Sequence, residues 1–254
     1  MSLVEVSRVA DGQVLRLALS DPPKNVLAGA MLRELTAALA AARDEARLKA
    51  ILLTHQGAHF SYGASVAEHT RAEAPAMLDA FHGAVRALCA PQVPVVAAVR
   101  GQCLGAGMEL VALATHVVAA ADAKFGQPEI KLGAFAPVAS VVLPWRIGQR
   151  HSEDLLLTGR VIDAEKARAI GLCDDFAENP EEAALAWIWA CLLPHSASSL
   201  RVAWRAARLA FARDLETLLP EVDRMYRQEL LPTADAEEGI RAFMEKRLPK
   251  WSDR

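Results

Sequence analysis

The chain has 254 residues, of which 53% are apolar and 23% charged, and its formal net charge is −3. Its apolar content excludes a disordered chain, and 14 Gly and 13 Pro exclude a collagen-like one. The slightly acidic balance excludes a binder of nucleic-acid phosphates, which require a cationic face.

The first part of the chain alternates between strand and helix patterns. Strands are predicted over 3–6, 14–19, 49–54, 93–99 and 116–120, and helices over 27–45, 74–89 and 108–114. The first helix carries Leu32, Leu35 and Leu39 on one stripe. The segment 93–99 is almost wholly apolar and β-branched, which is typical of a central parallel strand.

The pattern becomes mostly helical after Pro144. Helices are predicted over 151–158, 163–170, 180–193, 196–211, 215–230 and 234–248. The longest apolar run, 183–193, is too short to span a bilayer and predicts a buried helix, so we expect no membrane partner. We therefore predict an α/β core over 1–195 with a docked helical region over 196–254, built around one core.

Metal and nucleophile sites find no support in the sequence. The seven histidines include no His-Glu-x-x-His pattern, and the four cysteines lack metal-ligand spacing, so we expect no metal and a reduced, cytoplasmic chain. Neither Ser61 nor Ser65 has the Gly-x-Ser-x-Gly context of a nucleophile elbow.

A glycine-containing turn at 101–107 follows an apolar strand and opens a helix. A dinucleotide-binding loop fails on spacing, because Gly105 and Gly107 are followed by Leu110 where a third glycine is required. The same backbone could instead stabilise a forming oxyanion with free N–H groups at the helix start. A plain strand-to-helix turn is the other interpretation.

The loop 59–66 contains Gly63 and could present the Tyr62 N–H as a second donor, or it could be an ordinary surface loop.

Two glutamates stand beside apolar sequence. Glu109 follows the apolar helix start, and Glu129 follows Pro128 in a stretch flanked by Phe125 and Ile130. Two carboxyls at one site would divide their protonation between a neutral acid and an ionised base, which suits proton transfer and activation of a water. Two solvated helix-end glutamates are the alternative.

Taken in chain order, the loop 59–66, the turn 101–107 and the segment around Glu129 resemble the crotonase (enoyl-CoA hydratase/isomerase) superfamily. The resemblance extends over nearly the whole chain. Further matching segments lie at 21–27, 157–164, 169–172 and 237–247. The resemblance implies a ClpP/crotonase-like spiral of ββα units with a C-terminal helical trimerisation region. It also implies an acyl-CoA thioester substrate and a homotrimer or homohexamer. The coenzyme A would be part of the substrate, and no cofactor is expected.

Carried over by residue, the resemblance assigns roles to twelve positions. The backbone N–H groups of Tyr62 and Ala106 would hold the thioester oxyanion, with Glu109 as base and Glu129 as proton donor. The remaining positions are substrate-binding Gly63, Ala64, Gly105, Phe135 and Pro137, and CoA-binding Lys24, Phe243 and Lys246. Keeping both glutamates favours hydration over isomerisation or thioester cleavage.

The sequence departs from the ordinary hydratase pattern at two places. Ser65 stands where an Asp is usual, and 135–140 replaces a Pro-Gly-Ala-Gly-Gly stretch. This pairing is similar to the branch that hydrates a cyclic dienoyl-CoA thioester after benzoyl-CoA reduction, in anaerobic aromatic degradation. The alternatives are a straight-chain enoyl-CoA hydratase of β-oxidation, an acyl-CoA hydrolase, and a non-catalytic acyl-CoA binder.

Overall fold

The computed structural model describes residues 2–253, which form two sheets surrounded by helices. The strands are β1 (Val4–Val9), β2 (Val14–Leu19), β3 (Ala50–His55), β4 (Val95–Val99), β5 (Gln102–Leu104), β6 (His116–Ala119), β7 (Lys124–Gly126), β8 (Val161–Asp163) and β9 (Asp175–Phe176). The larger sheet has the order β1-β2-β3-β4-β6-β9 and is parallel except for the β1–β2 pair. The smaller sheet has the order β5-β7-β8.

Helices cover both faces of the larger sheet. They are α1 (Gly29–Ala42), α2 (Ala74–Cys89), α3 (Ala106–Ala112), α4 (Pro137–Ile147), α5 (Gln149–Thr158), α6 (Ala164–Ala169), α7 (Pro180–Cys191), α8 (Ala197–Ala207), α9 (Leu209–Met225) and α10 (Ala234–Met244). Short 3₁₀ turns span Val66–His69 and Pro128–Leu132, and a π turn spans Tyr226–Leu230. Within residues 2–253, no helix has the length and apolar character needed to cross a membrane.

The predicted hydrophobic patterns account for the elements that position the site. Leu32, Leu35 and Leu39 of α1 are fully buried, as their stripe predicts. All five residues of β4 are buried, as expected for a central parallel strand. Asp163 caps the N-terminus of α6, since its carboxylate accepts a hydrogen bond from the Lys166 N–H at 2.8 Å.

Two predictions about helices are corrected. The run 183–193 is not a buried helix: α7 lies on the outer face of the larger sheet, where Ala184 and Ile188 are buried and Trp189 is exposed. The helix α4 was missed, because Pro144 stands inside it and suggests a break. Pro137 opens α4, where a missing N–H costs nothing.

The pairing of the short segments that follow β3, β4 and β6 brings three parts of the chain together. The loop after β3 is held to β5 by a bridge between Ser61 and Cys103. The strand β7 pairs with β5, so that the 3₁₀ turn after β7 lies beside the start of α3. This arrangement places the 59–66 loop, the 101–107 turn and Glu129 at one location.

Candidate active site

Glu109 lies in the first turn of α3, a helix whose seven residues are all buried. The side chain is 3% exposed, and its Oε1 accepts a hydrogen bond from the Ala139 N–H at 2.7 Å. Ala139 belongs to the first turn of α4, where backbone N–H groups have no partner within the helix. The N-terminus of α4 therefore holds the Glu109 carboxyl at a fixed place.

Glu129 reaches the same place from the 3₁₀ turn Pro128–Leu132. A Cβ atom added to Gly105, the residue before α3, would overlap Oε1 of Glu129. The other oxygen, Oε2, is buried and has no hydrogen-bond partner within residues 2–253. Since buried polar atoms are nearly always paired, this oxygen requires a partner that the described residues do not supply.

Both carboxyls line one small inner cavity of about 20 Å³, which is room for roughly one water. Its other walls are mostly apolar and come from five parts of the chain: Ala64, His69, Met77, Leu78, Phe81, Ala106, Phe135, Ala136, Pro137 and Tyr226. A small apolar cavity containing two carboxyls has the makeup of a site for proton transfer.

The environment of this pair raises both pKa values. Burial, and next the charge of Glu129, raise the pKa of Glu109 to about 8, and the N–H groups of Ala139 and Val138 oppose the rise. Burial likewise raises the pKa of Glu129 to about 7. Near neutral pH the pair therefore shares a proton, and one carboxyl is acid while the other is base.

The amide donors differ from the prediction at one position. The Tyr62 N–H donates to the Lys24 carbonyl at 3.0 Å, so the prediction that it holds an oxyanion is wrong. Two residues later, the Ala64 N–H makes no backbone hydrogen bond within the described chain, and neither does the Ala106 N–H that begins α3. The two loops touch, because a Cβ atom on Gly63 would lie 3.5 Å from the Ala106 nitrogen.

The structure thus favours Ala64 and Ala106 as the paired donors. The signal for Ala64 is Gly63, whose φ of +92° turns the following peptide group away from the strand direction.

Comparison with known proteins agrees with this geometry. The family model "Enoyl-CoA hydratase/isomerase" matches residues 10–254. A cyclohexa-1,5-dienecarbonyl-CoA hydratase of Thauera aromatica is 47% identical over 96% of this chain and 95% of its own length. A probable enoyl-CoA hydratase of Mycobacterium leprae is 36% identical over 91% of this chain and 90% of its own.

The chain belongs to the enoyl-CoA hydratase/isomerase family. A solved enoyl-CoA hydratase from Mycobacterium avium has a TM-score of 0.87 at 26% identity, covering 99% of this chain and 100% of that one. The predicted crotonase-like fold is therefore confirmed.

A second, wider groove opens from the inner cavity of this hydratase/isomerase family member. Ala64, His69 and Glu129 line both spaces. Among the residues predicted for substrate and CoA, the groove is lined by Lys24, Gly63, Ala64, Gly105 and Phe243, whereas Phe135 and Pro137 line the inner cavity. Lys246, which follows the end of α10, lines neither space, so its predicted place at the CoA site is not found; Arg247, the next residue, lines the groove instead.

Several lining residues were not predicted from sequence. The Nδ1 of His69 lies 2.8 Å from the Ser65 carbonyl oxygen, and the residue lines both spaces. Lys131 and Arg247 lie at the groove, and Tyr226 lies in the inner cavity. Their only signals are charge or aromaticity in helices, which do not distinguish a site from an ordinary helix face.

The raised pKa values predict how stability depends on pH. Between the ordinary carboxyl value near 4.5 and the folded-state value of about 8, the folded chain keeps a proton that the unfolded chain releases. The free energy of unfolding should therefore fall as pH rises through this window, at up to roughly 1.4 kcal/mol per pH unit for one proton. Urea unfolding of the wild type and Glu109→Gln at pH 6 and pH 8 measures this.

The Glu109→Gln variant should lose less stability than the wild type between these two pH values, because its amide does not ionise. Equal losses in the two proteins would contradict the raised pKa of Glu109.

Proposed function

We propose that this chain is a hydro-lyase that adds water to a cyclic dienoyl-CoA thioester. The substrate would be cyclohexa-1,5-diene-1-carbonyl-CoA and the product 6-hydroxycyclohex-1-ene-1-carbonyl-CoA. The observation that carries the proposal is the convergence of Glu109 and Glu129 on one cavity beside the unpaired amides of Ala64 and Ala106. The 47% identity with the Thauera aromatica hydratase over 96% of the chain supports the cyclic substrate.

In the proposed reaction, the thioester carbonyl oxygen accepts hydrogen bonds from the Ala64 and Ala106 N–H groups. Such donors stabilise the oxyanion as it forms, and each contributes roughly 10²–10³-fold in rate. The small side chains at both positions leave room for the thioester to approach the backbone.

Water then adds across the diene. Its oxygen bonds to the ring β-carbon while its proton passes to the ionised glutamate. The resulting enolate extends over the remaining double bond. The other glutamate, which starts out protonated, donates its proton to the far end of this enolate, across the ring. One water is consumed and no electrons are exchanged, so the proposed reaction requires no resident cofactor, and coenzyme A enters as part of the substrate.

We assign the base to Glu109 because the Ala139 N–H stabilises its carboxylate. Glu129 is then the proton donor, since no donor in the described chain contacts its Oε2. The deep burial of Glu109 acts in the opposite sense by raising its pKa. Backbone N–H groups stabilise both carboxylates, two at Glu109 (Ala139 and Val138) and one at Glu129 (its own), so the larger number favours Glu109 as the ionised base.

A straight-chain enoyl-CoA hydratase is the second candidate, because relatives at 31–36% identity are named probable enoyl-CoA hydratases. Turnover of the cyclic dienoyl-CoA and of crotonyl-CoA separates the two functions. We expect the cyclic thioester to have the higher kcat/KM. A wide preference for crotonyl-CoA would overturn the ring proposal, and release of free CoA from either thioester would indicate a hydrolase instead.

We also propose that the chain acts in the cytoplasm, in anaerobic breakdown of aromatic compounds, as a homotrimer or homohexamer. Large apolar side chains exposed on the tail helices, including Val202, Leu209 and Leu218, support assembly. All four cysteines are free, which fits a reducing compartment. Sedimentation of the full-length protein measures its assembly state.

A further inference from the structure

Tyr226 is an aromatic residue of the inner cavity that the reaction outlined above does not use. It is 3% exposed and lies in the cavity with Glu109 and Glu129. It comes from the helical tail, as the first residue of the π turn that follows α9. Turns of this type are rare and frequently occur at functional sites.

The hydroxyl of Tyr226 is without a partner in the protein. Within residues 2–253 it makes no hydrogen bond, and its oxygen is not among the fully buried unpaired atoms, so it keeps some accessible surface. Burial and the two glutamate charges raise the pKa of Tyr226 to about 12, so the group remains a neutral O–H donor. A water or a substrate group that reaches this surface can therefore be its partner.

The position of Tyr226 is fixed by its neighbours. Arg227, the next residue, donates at 2.7 Å both to Asp223 one turn earlier and to Asp79 on α2. The Tyr226 ring contacts the Phe135 ring with centroids 5.2 Å apart and an interplanar angle of 59°. The π turn is thus held to α2 on one side, and its aromatic ring is held at the cavity wall on the other.

We propose that Tyr226 is a specificity-determining residue, whose ring limits the acyl site to a six-membered group and whose hydroxyl binds the oxygen of the added water. This inference rests on the proposed function. The Tyr226 and Phe135 rings line the inner cavity, whose small volume leaves no room for a longer acyl chain. The substrate ring is hydrocarbon, and the thioester oxygen lies at the amides of Ala64 and Ala106. The attacking water, which becomes the product hydroxyl, is the remaining polar partner.

Tyr226 transfers no proton in this scheme. The water proton passes to a glutamate, and the phenol only holds the water oxygen in line with the β-carbon. Loss of the hydroxyl should therefore lower kcat without weakening binding of the thioester.

Two variants separate the hydroxyl from the ring. Tyr226→Phe keeps the wall and removes the donor, and should lower kcat for the cyclic dienoyl-CoA by about tenfold with KM little changed, the effect of one lost hydrogen bond. Tyr226→Ala opens the wall. It should raise kcat/KM for trans-2-decenoyl-CoA relative to the cyclic thioester by at least roughly tenfold, since each methylene accommodated is worth 10-fold or more.

Phe176→Ala is the matched control, because Phe176 lies on the edge strand β9 away from both spaces. It should keep the wild-type kcat and the wild-type preference between the two thioesters. Thermal unfolding of each variant shows whether it is folded. If Tyr226→Ala does not fold, Tyr226→Phe still tests the role of the hydroxyl.

The two levels of the proposal fail in different ways. If the wild type hydrates the cyclic thioester but Tyr226→Phe keeps full kcat and Tyr226→Ala keeps the wild-type preference, the role of Tyr226 is wrong and the proposed function stands. If the wild type hydrates only straight-chain thioesters, the proposed function is wrong, and the inference about ring selection falls with it.

Discussion

Replacing Glu109 or Glu129 by Gln should lower the rate of hydration by roughly 10²–10⁴-fold, the usual contribution of a positioned acid or base. Gln keeps the size of the side chain but neither accepts nor donates the transferred proton. Because neither carboxyl is needed to hold the thioester oxygen, binding of the substrate should persist in both variants. Steady-state kinetics, with affinity for a saturated thioester measured in parallel, provide the two readouts.

Glu165→Gln is the control for this pair, since Glu165 is an exposed residue in the first turn of α6 that lines neither space. It should retain wild-type turnover. Full activity in either Glu109→Gln or Glu129→Gln would exclude that carboxyl from proton transfer. Full activity in both would favour a function that does not use the pair.

Gly105→Ala should disable the site and also destabilise the fold. Gly105 has φ +50° and ψ −127°, a conformation that L-residues rarely adopt, and an added Cβ would overlap Oε1 of Glu129. Forcing a side chain into such a conformation costs roughly 1–3 kcal/mol. Because the displaced group is the proposed proton donor, we expect a loss of turnover comparable to that of Glu129→Gln.

Gly83→Ala is the matched control for this substitution. Gly83 lies inside α2, and a Cβ there would meet no atom within 4 Å. Alanine in that position should stabilise the protein by about 0.4–1 kcal/mol and leave turnover unchanged. Thermal unfolding and kinetics on both variants provide the comparison. A Gly105→Ala protein with normal stability and normal turnover would show that Glu129 does not depend on this glycine.

The sequence predicts a structural feature correctly where that feature depends on one short segment of the chain. The stripe of α1 and the continuous apolar run of β4 predict their own burial, because each depends only on local periodicity. Glu109 and Glu129 stand out for the same reason, as carboxyls inside apolar sequence. The three-residue strands β5, β7 and β8 are too short to show a period, so they could not be predicted in this way.

The parts of the site that were missed depend on backbone orientation or on distant packing. The Tyr62 N–H differs from the Ala64 N–H because it donates to the carbonyl of Lys24, which is 38 positions away, whereas the Ala64 N–H meets no backbone carbonyl in the described chain. Tyr226 reaches the cavity only because α9 packs along α4 and Arg227 bonds to α2. No local pattern around Tyr226 records either contact.

The wall that Tyr226 provides has a consequence for how the protein becomes active during synthesis. A chain emerging from the ribosome presents Glu109 and Glu129 long before residue 226, so the cavity remains open to water on that side. Because burial is the main cause of both raised pKa values, water that enters through the open side should lower them towards the ordinary carboxyl range. A nascent chain therefore acquires its acid–base pair only when its last helices have docked, and unfinished chains should be catalytically silent.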